Sequence, residues 1–374
     1  MRGESLAKEA EKYPLGLSRC TNCSFLQLTS EPISTQIYQN YLYESKVTKG
    51  LSTSYAELAR GIKKQFRNNE VNSVLDIGCN DGSFLQNFQD SKIIVGIDPS
   101  IKLSEENNKK FTFINDFFNA EQAKSLKDLG PFSLIAINYT LANIDNPIEI
   151  LNLIGSLMNK ESLLSIVTGY HPDQFQFNMF EYINHDHISY FRLTDINNLC
   201  NLTGLKIVDA KRISAKGGSI HIMISRKESK YVSTQEVLDL LQRESMLEGL
   251  EKLSISNLKI RLQDEKEKLL SALSGNMSFI GLGASISTTS LMREFQLEER
   301  ISHLVDDNVK KVGLYSPGAA KLVESLEELG ERRSQHLIML AWHHKRSFIN
   351  RLNDLNFKGR VLVPLPTFRV VDFS

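Results

Sequence analysis

The sequence predicts an α/β protein with two Rossmann-like sheets and a small N-terminal module. Three observations carry this expectation. From Val71 to about Arg226, short β-branched runs alternate with helical segments, as βαβ units of a largely parallel sheet require. A second alternation begins at Ser278. Between them, residues 234–274 hold no proline and one glycine, Gly249, and read as one or two long helices.

The elements follow in order. Residues 1–70 carry Cys20-Thr21-Asn22-Cys23, a tyrosine-rich stretch (Tyr38, Tyr41, Tyr43, Tyr55) and a helical pattern, and form the N-terminal module. The runs Val74–Ile77, Ile93–Ile97, Leu134–Ile137 and Leu163–Val167 place one sheet within a domain spanning 71–230. A helical connector spans 231–275, and its charges read as a solvated face. The runs Ser278–Ile280, His303–Val305, Leu337–Leu340 and Val361–Val363 place a C-terminal α/β domain over 276–374.

Lysine plus arginine and aspartate plus glutamate balance at 44 each. That leaves no positive field of the kind nucleic acid or an anionic membrane would need, so a small-molecule partner is expected. No leader-like segment and no run of about eighteen apolar residues occurs, which predicts a cytoplasmic chain. The four cysteines, Cys20, Cys23, Cys79 and Cys200, are too scattered for a disulfide framework.

The segment from Val74 to Leu85 carries the clearest chemistry. After the first strand the chain turns sharply at Gly78 and Gly82, which lack a Cβ and let the backbone approach a ligand. Twenty residues after Gly78, at the end of the next strand, Asp98 is placed to accept two ribose hydroxyls. A dinucleotide site would need Gly-x-Gly-x-x-Gly to seat a pyrophosphate, whereas Asn80 and Asp81 fill this turn. Acidic residues suit a cation. S-adenosylmethionine carries a sulfonium and an ammonium and no phosphate, so Asp76 and the turn carbonyls are suitable partners in a class I methyltransferase domain. Asp116 either bonds the adenine amino group or caps a helix, and Asn138 ends a strand on the ligand-binding edge.

These residues, together with Tyr13-Pro14-Leu15, Tyr41-Leu42-Tyr43-Glu44-Ser45, His185–Phe191, Gly217-Gly218-Ser219, Gly281–Ser285 and Val305–Asn308, resemble the sugar C-methyltransferase family of deoxysugar biosynthesis. The resemblance covers nearly the whole chain. It implies a zinc-binding N-terminal module, a central S-adenosylmethionine-dependent methyltransferase domain and a C-terminal domain that helps hold a nucleotide-diphosphate sugar. The implied reaction methylates a carbon beside a ketone through an enolate, which needs a base, an oxyanion-stabilising group and a methyl in line. By resemblance His187 takes the place of the base and Asp186 that of its carboxylate. Asn184 stands where the family has tyrosine, and Asn143 where it has histidine. Asparagine hydrogen-bonds but shuttles no proton at neutral pH, so methylation of a hydroxyl or amine, or a lapsed enzyme kept for binding, are the alternative expectations.

The residues His185-Asp186-His187 admit three readings: a base with its carboxylate, a metal pair on one strand face, or partly buried structural histidines. His185 is also a candidate substrate contact. Tyr43 points to the sugar or packs as an aromatic. Cys20 and Cys23 make half of a tetrahedral zinc set, and no histidine precedes His171. In the C-terminal domain, Gly281, Gly283, Ala284 and Ser285 precede a helix start, and with Asp306 and Asp307 they suggest a diphosphate or nucleotide site, or a turn serving chain geometry alone.

Overall fold

In the computed structural model, the described residues are 3–10, 14–29, 45, 50–66, 68, 70–100, 111–249, 253–273, 278–331 and 335–373. Tyr43 lies outside them. Two compact units share the chain, and both are discontinuous in sequence. The first comprises Gly16–Asp173 with His185–Leu250; the second comprises Met1–Leu15, Gln174–Asn184 and Glu251–Ser374.

The strands of the first unit are β1 (Leu17–Arg19), β2 (Leu26–Leu28), β3 (Ser73–Ile77), β4 (Ile93–Ile97), β5 (Thr112–Ile114), β6 (Leu134–Asn138), β7 (Leu163–Gly169), β8 (Ser189–Tyr190), β9 (Leu205–Ile213) and β10 (Ser219–Arg226). Seven of them form one sheet in the order β5-β4-β3-β6-β7-β10-β9. It is parallel except for β10, which runs antiparallel to both its neighbours. Every residue of β3 and β6 is buried, as an apolar strand covered on both faces requires. The chain winds from β3 outward to β4 and β5, then returns to β6 on the other side of β3. That reversal opens a crevice at the carboxyl ends of β3 and β6.

A second, antiparallel sheet joins β1 and β2 to β8. Leu28 N–H donates to Ile188 O at 2.9 Å, so the N-terminal hairpin holds the segment that follows His187. His185 and Asp186 lie in a turn before β8, not on a strand, so the two histidines do not share a strand face. Beyond β8, the fully buried Arg192 is neutralised by Asp195 at 2.7 Å and by Glu248 at 2.9 Å.

The helix Gln235–Gly249 departs from the solvated face expected of it. Glu244 is 1% exposed and accepts from Tyr170 Oη, Leu193 N, Thr194 N and Thr194 Oγ1 at 2.6–2.9 Å. A carboxylate with four donors tolerates burial because each donor replaces a lost water. In the second unit the helix Ile255–Ala272 does the same with Glu265, which receives Phe368 N at 2.5 Å and Lys268 Nζ at 3.0 Å.

The strands of the second unit are β11 (Phe279–Leu282), β12 (Ile301–Asp306), β13 (Val323–Ser325), β14 (Gln335–Met339), β15 (Gly359–Val363) and β16 (Arg369–Phe373). Their order is β13-β12-β11-β14-β15-β16, parallel but for the last strand. Winding again reverses beside the first strand, between β11 and β14.

Candidate active site

In the first unit the turn after β3 closes against the end of β6. Gly78 has φ +76°, and a Cβ there would stand 2.0 Å from Thr140 Oγ1, so only glycine fits at the crevice floor. Gly78 N–H donates to Ile97 O at 2.8 Å, tying the turn to β4. Asn80 also adopts a left-handed conformation, φ 49°. Its N–H donates to Asp98 Oδ2 at 2.9 Å, and its side-chain oxygen accepts from Ser45 N at 2.9 Å. Asp98 Oδ1 accepts from Ser100 N and Ser100 Oγ at 2.8 and 2.6 Å. The expected loop-and-acid pair is thus a direct bond, and Asp98 Oδ2 keeps one lone pair beyond those its own loops use.

Asp76 lies at the bottom of this crevice, 1% exposed. Burial first, and the nearby Asp98 carboxylate second, push its carboxyl well above the usual range, opposed by the Asn138 amide. Asp76 Oδ1 and both amide atoms of Asn138 are buried without a hydrogen-bond partner among the described residues. A buried acid of this kind calls for a cation. The sulfonium and ammonium of S-adenosylmethionine meet that demand, and Gly78 and Gly82 leave backbone exposed to a ligand. The chemistry of the residues present therefore fits the cofactor, and Asp76, Gly78, Asn80, Gly82, Asp98 and Asn138 are the ones that could hold it.

Asp116 sits further out on the same edge. Its carboxylate accepts from Phe117 N at 2.7 Å and Gln122 Nε2 at 2.9 Å, while the N-cap of the following helix is Asn119. The helix-capping alternative for Asp116 thus falls to its neighbour.

The acceptor candidates are dispersed. Asn143 closes a short turn after β6, with its N–H donating to Thr140 O at 2.9 Å. His185, Asp186 and His187 are half-buried, and the His187 ring meets the edge of Tyr190 with centroids 6.4 Å apart. Burial raises the Asp186 carboxyl, opposed by the charge of His185. Asn184 belongs to the second unit, where its Nδ2 donates to Tyr182 O at 3.4 Å.

Tyr139, directly after Asn138, holds φ 58°, and Lys216 Nζ stands 3.9 Å from its ring centroid. Sequence reasoning marks neither residue. The signal available is position alone: Tyr139 follows a ligand-edge strand end, and Lys216 precedes the Gly217-Gly218 pair.

Cys20 and Cys23 are exposed in the β1–β2 turn, where Cys20 N donates to Phe25 O and Ser24 N to Cys20 O. Backbone N–H groups of Cys23 and Asn22 pull the Cys20 thiol below its ordinary value. Among the described residues no group of three or more potential ligands is placed to hold a metal. Two thiols do not fill a tetrahedral zinc site.

The second unit repeats the loop design with different chemistry. Gly283, φ +97°, would clash through a Cβ with Ala341 Cβ at 2.3 Å, as Gly78 would with Thr140. Gly283 N donates to Val305 O at 2.8 Å, Ala284 N to Asp306 Oδ2 at 2.7 Å, and Asn308 N to Asp306 Oδ1 at 2.9 Å. Asp306, with Lys311 Nζ at 3.3 Å, thus holds the place that Asp98 holds in the first unit, and Asp307 follows it. Gly281 stands two residues before Gly283, where the first unit has Asp76, so this crevice lacks the buried acid that calls for a cation. Ser285 and Thr288 cap the next helix mutually: Ser285 N donates to Thr288 Oγ1 at 3.0 Å, which occupies one donor expected for a phosphate. At the end of β14, buried Glu181 Oε1 accepts from Trp342 Nε1 and from His343 at 2.7 Å.

Comparison with known proteins settles the class. A family profile described as a methyltransferase domain matches residues 51–210, and one described as a C-methyltransferase C-terminal domain matches residues 214–366. The C-methyltransferase NovU of Streptomyces niveus is 23% identical over 369 residues, covering 96% of this chain and 88% of the relative. The chain belongs to the C-methyltransferase family. This C-methyltransferase is an S-adenosylmethionine-dependent enzyme with Rossmann-like sheets. Among solved structures, the 1,6-didemethyltoxoflavin-N1-methyltransferase of Burkholderia thailandensis aligns at TM-score 0.40 and 12% identity, over 56% of this chain and 99% of that one. The plantazolicin methyltransferase BpumL with SAH aligns at 0.38 and 17%, over 52% and 89%. No helix among the described residues is long and apolar enough to cross a membrane.

Proposed function

We propose that this C-methyltransferase acts on a nucleotide-diphosphate keto-deoxysugar, with His187 as the base that removes a proton from the carbon beside the ketone. The observation that carries the reading is the repeated loop-to-carboxylate design. One crevice has a buried acid, Asp76, and suits the cationic methyl donor. The other has the same turn with Gly281 in place of the acid, and suits an anionic nucleotide. When bound, the cofactor would supply an electrophilic methyl on a sulfonium; Asp76 would answer its positive charge, Asp98 would hold the ribose and Asp116 the adenine.

On the acceptor side, Asp186 orients His187, and Asn143 donates a hydrogen bond to a sugar oxygen. His185 lines the sugar. Gly281, Gly283, Ala284 and Ser285 form the turn that receives the nucleotide, and Asp307, with Asp306, offers carboxylates to its hydroxyls. An imidazole titrates near neutrality, which suits it to take the proton and release it to solvent.

The test is solvent deuterium exchange at the carbon beside the ketone, measured with a nucleoside-diphosphate keto-deoxysugar and SAH. Wild type is expected to exchange, and His187→Ala to exchange about 100-fold more slowly or worse. Equal rates in the two proteins would remove the base assignment.

A further inference from the structure

Lys216 sits in the turn Ala215–Gly217 that enters β10. Because β10 runs antiparallel to β7, with Ser219 opposite Gly169, this turn lies on the same edge of the sheet as the carboxyl ends of β6 and β7. Gly218 O accepts from Tyr170 N at 3.4 Å, and Tyr139 N donates to Val167 O at 2.7 Å, which fixes both turns to β7. The Lys216 ammonium is thereby brought to 3.9 Å from the Tyr139 ring centroid, immediately after Asn138 of the cofactor crevice.

Both residues are held in the left-handed region, at φ 49° and 58°. A non-glycine residue there costs on the order of 1 kcal/mol or more, and such costs gather where a side chain must be aimed. Tyr139 lies beneath the Lys216 ammonium, and Asp173, on the segment packed against Gly218, is itself paired with Arg212 at 2.7 Å and Arg243 at 3.3 Å. Burial lowers the Lys216 ammonium to about 8. It remains a cation at neutral pH, and a poorly hydrated one bonds an oxyanion more strongly than a fully solvated one does.

We propose that Lys216 is a catalytic residue of this enzyme: its ammonium donates a hydrogen bond to the acceptor oxygen that becomes negative when the neighbouring carbon is deprotonated. The proposal rests on the carbonyl-bearing acceptor argued above. In the step, the base takes the proton, the C–H electron pair forms a C=C bond, and the carbonyl π pair moves onto oxygen, where Lys216 donates to it. When the C=C pair forms the new bond to the donor's methyl carbon, the methyl–sulfur bond breaks with its pair left on sulfur, the oxygen pair re-forms the C=O bond, and Lys216 keeps its proton. Asn143 is neutral, so a lysine is what supplies positive charge at this edge.

The test compares wild type, Lys216→Met and Lys216→Arg in the full chain, using the same nucleoside-diphosphate keto-deoxysugar, with deuterium exchange, methyl transfer and SAH affinity as readouts. Lys216→Met is expected to bind SAH within about threefold of wild type and to lose exchange and transfer by about 100-fold, as for loss of an oxyanion donor. Lys216→Arg is expected to recover to within about tenfold of wild type. Its rate should hold at alkaline pH, where the wild-type rate falls as the amine loses its proton. Exchange by Lys216→Met at the wild-type rate would overturn the assignment while leaving the substrate reading intact. Wild type that neither exchanges nor methylates would defeat the substrate reading, and with it the enolate that Lys216 is proposed to hold.

Discussion

At the scale of the residue, Asp76 couples cofactor binding to folding. Its carboxyl is raised by burial and by Asp98, so folding favours the protonated form over the carboxylate at this position. The sign follows from linkage. Stability associated with the protonated form is present at low pH and is lost as pH rises through the raised folded value. A bound cation reverses the preference by favouring the carboxylate, so binding releases a proton. Asp76→Asn is expected to raise the melting temperature of the free enzyme near neutral pH by a few degrees, since each tenfold gain in the carboxylate's proton affinity on folding corresponds to about 1.4 kcal/mol. The same change should weaken S-adenosylmethionine binding tenfold or more, and calorimetry in two buffers should lose the proton release seen with wild type. A variant that is less stable and binds normally would contradict this account. Asp76 was legible in the sequence because a lone acid interrupts an apolar strand. The left-handed Tyr139 and Lys216 were not, since no residue type marks them as glycine marks Gly78.

Among the elements, the helix Gln235–Gly249 and the N-terminal hairpin hold the segment that follows His187. The hairpin pairs with β8, and Glu244 gathers the start of the next helix through Leu193 and Thr194. Glu244→Ala is expected to destabilise the protein by about 3 kcal/mol, because it leaves buried donors unpaired. Chemical denaturation would show this as a lower midpoint with an unchanged slope. A loss below about 0.5 kcal/mol would mean that water replaces the carboxylate. The helices themselves were legible from their lack of glycine and proline. Their buried carboxylates were not, because Glu244 and Glu265 sit in a charge pattern indistinguishable from a solvated face, and only the partners Tyr170, Thr194 and Phe368, distant in sequence, distinguish them. The turn at His185 and Asp186 escaped for the same reason: its neighbours belong to a hairpin about 160 residues earlier.

For the whole molecule, both sheets were legible from apolar runs, and their strand orders follow from winding about β3 and β11. The loop and acid of each sheet were also legible, because glycine spacing and strand-end aspartates are local in sequence. The shared hydrogen-bond plan was not, since Asp306 and Asp307 are equivalent candidates until Ala284 N is seen to donate to Asp306. The division into units was hidden as well, because Gln174–Asn184 leaves the first unit to join the second through contacts such as Glu181 with Trp342. The difference between the two crevices, an acid in one and glycine in the other, is what points to a cationic methyl donor and an anionic nucleotide carrier for the acceptor. The most direct measurement supplies S-adenosylmethionine with a carbon-13 methyl group to the enzyme and a nucleoside-diphosphate keto-deoxysugar, and records the carbon spectrum of the product. The expected result is a new methyl resonance coupled to an adjacent sugar carbon; a methyl on oxygen or nitrogen, without that one-bond carbon coupling, would contradict the account.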